Sequence, residues 1–108
     1  MSRFARKKDA NHNTLTAVFE ALGCRVMDTS RLGGGAPDAI VQFGGMTMLI
    51  EIKDGSKPPS ARKLTPAEEA AHSKMMIRTV TDQDDVLTAV STLRKWSQIV
   101  MSRMGDKS

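Results

Sequence analysis

The segment from Gly33 to Lys53 constrains this chain more than any other, because it predicts a β-hairpin with a polar open end. Two apolar runs rich in strand-forming residues flank Gly44-Gly45, and such a pair is a strong signal for a tight hairpin turn. With the glycines at the turn, counting back along both strands places Asp38 opposite Glu51. The sequence therefore predicts where polar side chains of the hairpin meet.

The alternation of side chains along the strands brings a third polar group to the same place. Opposed residues share a face of the sheet, and Lys53 shares that face because it lies two residues beyond Glu51. A three-residue loop would instead oppose Asp38 to Ile50 and scatter the group. The other face carries a row of apolar side chains expected to pack on the core: Val41, Phe43, Met46, Met48, Ile50 and Ile52.

Asp38, Glu51 and Lys53 together suit metal-assisted chemistry on phosphate. Two close carboxylates repel each other unless a proton or a cation lies between them. Mg²⁺ prefers such oxygen ligands and keeps several waters, and a neighbouring lysine can orient the attacking water or stabilise charge on the phosphoryl group. The alternative is a solvated strand end with a cross-strand Glu-Lys cluster, since the E-x-K tripeptide is common.

The motif Gly35-x-Pro37-Asp38, followed after a spacer by Glu51-Ile52-Lys53, resembles the signature of the PD-(D/E)xK nuclease superfamily. Across residues 8–90 the chain is similar to small VRR-NUC or Holliday-junction-resolvase-like members, which are often phage-encoded. The resemblance implies a restriction-endonuclease-like core and a Mg²⁺-dependent phosphodiesterase in which Mn²⁺ substitutes. Asp38 and Glu51 would bind the metal with the backbone carbonyl of Ile52, and Lys53 would be the catalytic lysine.

One position departs from that family pattern. Relatives usually carry an acidic or amide residue near the start of the first helix, where it completes the metal shell. In this chain the position falls near His12, and no carboxylate stands there. His12 or Asp9 could replace it, or the site could use only two side-chain ligands. The alternative for His12 is an ordinary surface residue.

The chain is basic, with a net charge of +4 and a pI of about 9.6, which favours binding to polyanions such as nucleic acid. The glycine-rich loop from Ser30 to Ala36 could approach a phosphate backbone closely, gate the site, or simply connect two elements. One Trp and no Tyr argue against an aromatic platform for bases. The predicted nucleic-acid-binding residues are Arg6, Lys7, Lys8, Gly33, Gly34, Gly35, Lys57, Arg62 and Lys63.

The pattern of the whole chain predicts an α/β domain, with a helix and then a mixed sheet of about four strands flanked by helices. We expect a basic flexible tail at 1–8, a nuclease domain at 9–92 and a C-terminal helical extension at 93–108. Other predicted elements are a helix from 11–13 to 22, strands at 25–28 and 75–80, a helix opening at Thr65, and a helix capped by Asp82 or Asp84. The candidate N-caps of the first helix are Asp9, Asn11 and Asn13. Glu68 is expected to close a capping box with Thr65, and the alternative is a role behind the site.

Apolar spacing in the last helix continues past the point where a small core should be filled, at Leu93, Trp96, Val100, Met101 and Met104. It predicts either a homodimer contact or a frayed tail. The lone Cys24, expected to be a buried structural thiol, and the lack of any long apolar run predict a cytoplasmic protein with no membrane partner. No organic cofactor is expected.

The combined expectation is a metal-dependent endonuclease that hydrolyses DNA phosphodiester bonds, with branched or junction DNA as the expected substrate. Two alternatives come from other classes: a nucleic-acid-binding module without turnover, and a structural or regulatory phage protein assembled through its C-terminal helix.

Overall fold

A single mixed sheet with helices packed against it organises the part of the chain that the computed structural model describes, residues 10–105. The predictions for Arg6, Lys7, Lys8 and Asp9 fall outside the described residues. The helices and strands in chain order are α1 His12–Ala21, β1 Arg25–Asp28, β2 Ala39–Phe43, β3 Met46–Ile52, α2 Pro66–Lys74, β4 Ile77–Val80 and α3 Gln83–Gly105, with a 3₁₀ turn at Pro59–Arg62 before α2.

The strands lie in the order β1-β2-β3-β4. The first three pair antiparallel, and β4 pairs parallel to β3. A parallel neighbour needs a crossover connection, and the segment that contains α2 provides it. The prediction of an α/β chain with a mixed four-stranded sheet is therefore confirmed.

The hairpin forms with the predicted two-residue turn. Phe43 pairs with Met46, and the ladder runs back to Ala39 opposite Ile50. Gly44 and Gly45 have φ values of 55° and 81°, the left-handed region that such turns require at both positions. Beyond Ala39 the pairing departs from a plain ladder, because the N–H of Asp38 donates to the carbonyl of Ile50 at 2.9 Å.

Apolar side chains of β2 and β3 form the core with α1 and α3. In the predicted row, Phe43 and Met46 near the turn are only half-buried, and the other four members are buried. Leu15 and Phe19 contribute the buried stripe of α1, and Cys24 is buried as expected. The buried apolar residues are Leu15, Phe19, Cys24, Ala39, Val41, Met48, Ile50, Ile52, Val80, Val86, Ala89, Val90 and Leu93.

The fourth strand begins two residues later than predicted. β4 pairs with β3 only from Leu49 opposite Ile77 onwards, so Met75 and Met76 have no strand partner there and stay exposed.

Of the two candidate N-cap residues of α3, Asp82 and Asp84, the structure shows that Asp82 is the cap. The carboxylate of Asp82 accepts the Asp85 N–H at 2.9 Å, as an N-cap residue does.

Helix α3 runs unbroken through the predicted domain boundary at residue 93. Leu93 is fully buried and Trp96 packs against the core, while the Ser97 hydroxyl donates to the carbonyl of Gly44 at 3.0 Å. Residues 98–104 are all exposed. Within residues 10–105, none of the helices combines the length and the apolar character that crossing a membrane requires.

This division of α3 predicts different effects for two truncations. A chain ending at Gln98 should change the free energy of unfolding by no more than about 0.5 kcal/mol, because the side chains of residues 99–104 that it removes are exposed. A chain ending at Arg94 should lose about 1–3 kcal/mol, because it also removes Trp96 and the Ser97 hydrogen bond. Urea unfolding measures both, and equal losses would contradict the assignment of Trp96 to the core.

Candidate active site

Asp38 lies just before β2 and is held by backbone groups on two sides. Its carboxylate Oδ2 accepts the Ile52 N–H at 2.7 Å, and its carbonyl accepts the Thr29 N–H at 2.9 Å. The side chain is only 6% exposed. The Asp38 carboxylate is thereby fixed beside the last residues of β3, as the hairpin register predicts.

Glu51 is the most buried acid of the site, at 1% exposure. It lies against the carboxyl groups of Asp38 and Glu68. Its Oε1 is buried, and no hydrogen-bond donor among the described residues reaches it. Burial, followed by hydrogen bonding to the other two carboxyls and repulsion from them, raises the pKa of Glu51 to about 9. Glu51 therefore holds a proton at neutral pH when no cation is bound.

Lys53 shares the site with Glu51, as strand alternation predicts, but its main partner comes from another element. Its Nζ lies 2.9 Å from Oε1 of Glu68 and 3.9 Å from Oε2 of Glu51. The ammonium is mostly shielded, with 12% of the side chain exposed. Lys53 thus lies between two carboxyl groups and is hydrogen-bonded to that of Glu68.

Glu68 performs two roles that the sequence had left as alternatives. It closes the capping box of α2, accepting the Thr65 N–H at 2.8 Å while its own N–H donates to Thr65 Oγ1 at 3.2 Å. It also accepts the Lys53 hydrogen bond. Burial opposes the charged form, but hydrogen bonds from Thr65, Lys53 and protonated Glu51 outweigh it and lower the pKa of Glu68 to about 2.

The glycine-rich loop packs against the start of α2. Gly33, Gly34 and Gly35 all have positive φ, at 67°, 62° and 82°. A Cβ at Gly35 would collide with the carbonyl of Ala67, whereas a Cβ at Gly33 or Gly34 would meet nothing within 4 Å. Gly35 therefore serves the packing of α2, which leaves Gly33 and Gly34 as the open positions of the predicted phosphate-binding loop.

The start of α1 faces inward, so the alternative of a surface His12 is wrong. His12 is 2% exposed, and its Nε2 lies 3.3 Å from Oδ2 of Asp28. Asp28 pairs with Ala39, the residue after Asp38, so His12 lies close to the candidate site.

Asn11, predicted only as a possible cap, donates from Nδ2 to the carbonyls of Lys53 at 3.2 Å and Thr81 at 3.0 Å. No local sequence pattern signals that long-range contact.

The predicted basic residues after the site lie on an exposed connection. Lys57 and Lys63 are exposed, and Arg62 is half-buried at the end of the 3₁₀ turn. This connection begins directly after Lys53 and ends at the cap of α2. Lys57, Arg62 and Lys63 therefore lie on the connection between β3 and α2, the two elements that carry Glu51 and Glu68.

The residues of the site fit a divalent metal ion only in part. Asp38 and Glu51 offer hard oxygen atoms, and the unpartnered Oε1 of Glu51 is an atom that a cation would satisfy. Residues 10–105 contain no group of three or more His, Cys, Asp or Glu side chains arranged to hold a metal. The donor set therefore fits Mg²⁺, which completes its shell with water and substrate phosphate, better than a metal that needs a full protein cage.

Comparison with known proteins adds no relative. No family model, no curated protein and no solved structure matches this chain. The geometry of the site and the motif are therefore the observations from which a function can be inferred.

The packing of Gly35 on α2 predicts a difference between two equivalent substitutions. Gly34→Ala should cost about 1–2 kcal/mol of folding free energy, the strain of a left-handed alanine. Gly35→Ala should cost about 1–3 kcal/mol more, because the new methyl group also displaces the Ala67 carbonyl. Chemical unfolding of both variants measures the difference. Equal costs would show that the loop does not pack on α2.

The raised pKa of Glu51 predicts how the metal-free protein responds to pH. From about pH 4.5 to 9 the unfolded chain has lost this proton while the folded protein keeps it, so the free energy of unfolding should fall as pH rises. One proton corresponds to a slope of at most about 1.4 kcal/mol per pH unit. Glu51→Gln should flatten the profile measured by urea unfolding in EDTA.

Glu69→Gln provides the matched control, because Glu69 is an exposed carboxylate on the same helix as Glu68. It should leave the slope unchanged. If Glu51→Gln and the wild type show the same pH profile, Glu51 does not hold the proton.

Proposed function

We propose that this protein is a metal-dependent endonuclease that hydrolyses DNA phosphodiester bonds. The observation that carries the proposal is the contact of two buried carboxyl groups, Asp38 and Glu51, beside the ammonium of Lys53. Burying acids against one another opposes folding, and perturbed groups of this kind concentrate at functional sites. The P-D…E-x-K motif assigns the same three residues to nuclease chemistry.

The two carboxylates are the side chains that would hold Mg²⁺ or Mn²⁺, with the backbone carbonyl of Ile52 as a further ligand. When bound, the metal ion polarises a phosphoryl oxygen and makes a coordinated water a better nucleophile at neutral pH. The Ile52 N–H bond keeps the Asp38 carboxylate in place for this role. With a cation held there, Glu51 would be ionised and its proton released to solvent, because the cation would neutralise the paired acids.

Lys53 supplies the positive charge that the reaction needs outside the metal shell. Its ammonium can stabilise the charge that develops on the transferring phosphoryl group or orient the attacking water. The hydrogen bond to ionised Glu68 fixes the ammonium without using a metal ligand to do so. Glu68 is thus a positioning residue for Lys53.

The architecture and the charge support DNA as the substrate. The helix, the mixed four-stranded sheet and the flanking helices follow one another in the order that the resemblance to the nuclease superfamily predicts, which supports the proposal. Exposed Lys57 and Lys63 on the connection after Lys53 can contact phosphates. The exposed apolar residues Val100, Met101 and Met104 of α3 support a homodimer, and two sites related by a twofold axis would suit paired cuts in a junction.

A second candidate is a nucleic-acid-binding module without turnover. It is favoured by His12, which contacts Asp28 and stands where members of the nuclease superfamily that the motif resembles carry a metal-binding acid or amide. A third candidate, a structural phage protein assembled through α3, rests on the exposed stripe of α3 alone.

A cleavage panel tests the proposal. We expect Mg²⁺-dependent cutting of linear, nicked, flapped or four-way DNA, with branched forms preferred. Asp38→Asn should abolish cleavage, because it removes metal-binding charge with little change of shape. Lys53→Ala should reduce the rate by about a hundredfold or more, the effect of losing one electrostatic contact to the transition state. Glu69→Gln, which alters an exposed acid near the site, should cleave like the wild type.

DNA binding measured in parallel separates the candidates. Cleavage by Asp38→Asn at the wild-type rate under saturating Mg²⁺ would contradict the site assignment. Salt-sensitive binding with no cutting by the wild type would identify a binding module, whereas weak, salt-insensitive binding would favour a structural protein.

A further inference from the structure

A cavity of about 420 Å³ lies at the other end of β3 from the carboxylate site. It opens on the β4 side of β3, where β3 pairs only with β2, because β4 begins only at Ile77 opposite Leu49. The end of α2 and the middle of α3 provide its other walls. The lining residues are Thr47, Met48, His72, Met75, Met76, Ile77, Arg78 and Trp96.

The walls suit a flat apolar group. Trp96 is the single tryptophan of the chain and is half-buried on the α3 side of the cavity. Met75 and Met76 are 50% and 83% exposed, so two flexible thioether side chains stand at the rim without a protein partner covering them. Methionines adapt to ring-shaped ligands and make favourable contacts with aromatic groups.

The polar groups of the cavity suit an anion with hydrogen-bonding edges. His72 Nε2 is buried and has no hydrogen-bond partner within residues 10–105, which leaves a polar atom that a ligand could satisfy. Arg78 makes a long 3.4 Å hydrogen bond to Thr92 Oγ1. None of the described lining residues is acidic, so the cavity favours a negatively charged occupant.

We propose that this cavity binds one unpaired nucleotide of the DNA substrate. The base would pack against Trp96 and the methionines, its edge would bond to His72 Nε2, and its phosphate would pair with Arg78. A single ring is sufficient here, because one stacked base needs one aromatic partner and no extended platform.

The position of the cavity makes the proposal relevant to substrate choice, and in this respect it rests on the proposed nuclease function. Thr47 in the cavity and Glu51 in the carboxylate site lie four residues apart on β3, which corresponds to about 13 Å. That distance is a span of about four stacked nucleotides. A site of this kind selects DNA that carries a single-stranded branch near the bond that is cut.

Binding in EDTA tests the cavity without requiring catalysis. The probes are a single-stranded oligonucleotide of eight thymidines, a blunt 20-base-pair duplex and free dAMP. We expect the single strand to quench the fluorescence of Trp96 saturably, and the duplex to bind without that quenching. Free dAMP should bind much more weakly than the oligonucleotide. Equal affinity would overturn the assignment to a strand and make a free nucleotide the ligand.

Two pairs of variants locate the binding. Arg78→Met should weaken single-strand affinity about tenfold, while Lys95→Met, which removes an exposed charge one residue from Trp96 on α3, should change it less than twofold. Met76→Ala should also weaken single-strand binding, because Met76 lines the cavity, and its exposure leaves folding unaffected. Leu32→Ala, at a site 72% exposed outside the lining, is its control.

The outcomes separate this inference from the proposed function. If Arg78→Met and Met76→Ala bind single strands like the wild type and keep its preference for branched DNA in cleavage, the cavity inference is overturned even though the nuclease function holds. If no DNA is cut but both variants lose single-strand binding, the cavity inference holds and the nuclease proposal fails.

Discussion

The hydrogen bond between Lys53 and Glu68 is the contact on which the site depends, because it joins elements that share little apolar packing. Glu68 is the only buried residue of α2 among those described, so a charged group rather than an apolar stripe anchors this helix. The same turn of α2 carries Ala67, against which Gly35 packs. The ion pair therefore joins the end of β3 to α2, and the packing of Gly35 on Ala67 joins the glycine loop to the same turn of α2.

The electrostatics of this arrangement shift the pKa values of two neighbouring acids, Glu51 and Glu68, in opposite directions. Glu68 has a lowered pKa of about 2, because the Thr65 N–H and the Lys53 ammonium outweigh the burial that opposes its charge. Glu51 has a raised pKa of about 9, because burial and nearby carboxyls disfavour its charge. A cation bound beside Glu51 could replace the proton that Glu51 keeps in the metal-free protein. The repulsion among these carboxyl groups lowers the stability of the metal-free protein, and it would favour the binding of a metal ion.

Local sequence patterns predicted most of the fold and the centre of the site. The Gly44-Gly45 turn and strand alternation determine the register that brings Asp38, Glu51 and Lys53 together. The start of β4 was placed too early, since strand length depends on where a partner strand ends and not on the apolar run alone. The contacts of Asn11 and His12 could not be predicted, because they depend on the paths of loops that join segments distant in sequence.

If Asp38 and Glu51 form a metal-binding pair, anomalous diffraction from crystals grown with Mn²⁺ will locate the ion between them. We expect an anomalous peak within coordinating distance of both carboxylates, with Lys53 still bonded to Glu68. A peak elsewhere in the molecule would contradict it. So would a metal-free Asp38–Glu51 pair at a Mn²⁺ concentration that supports cleavage.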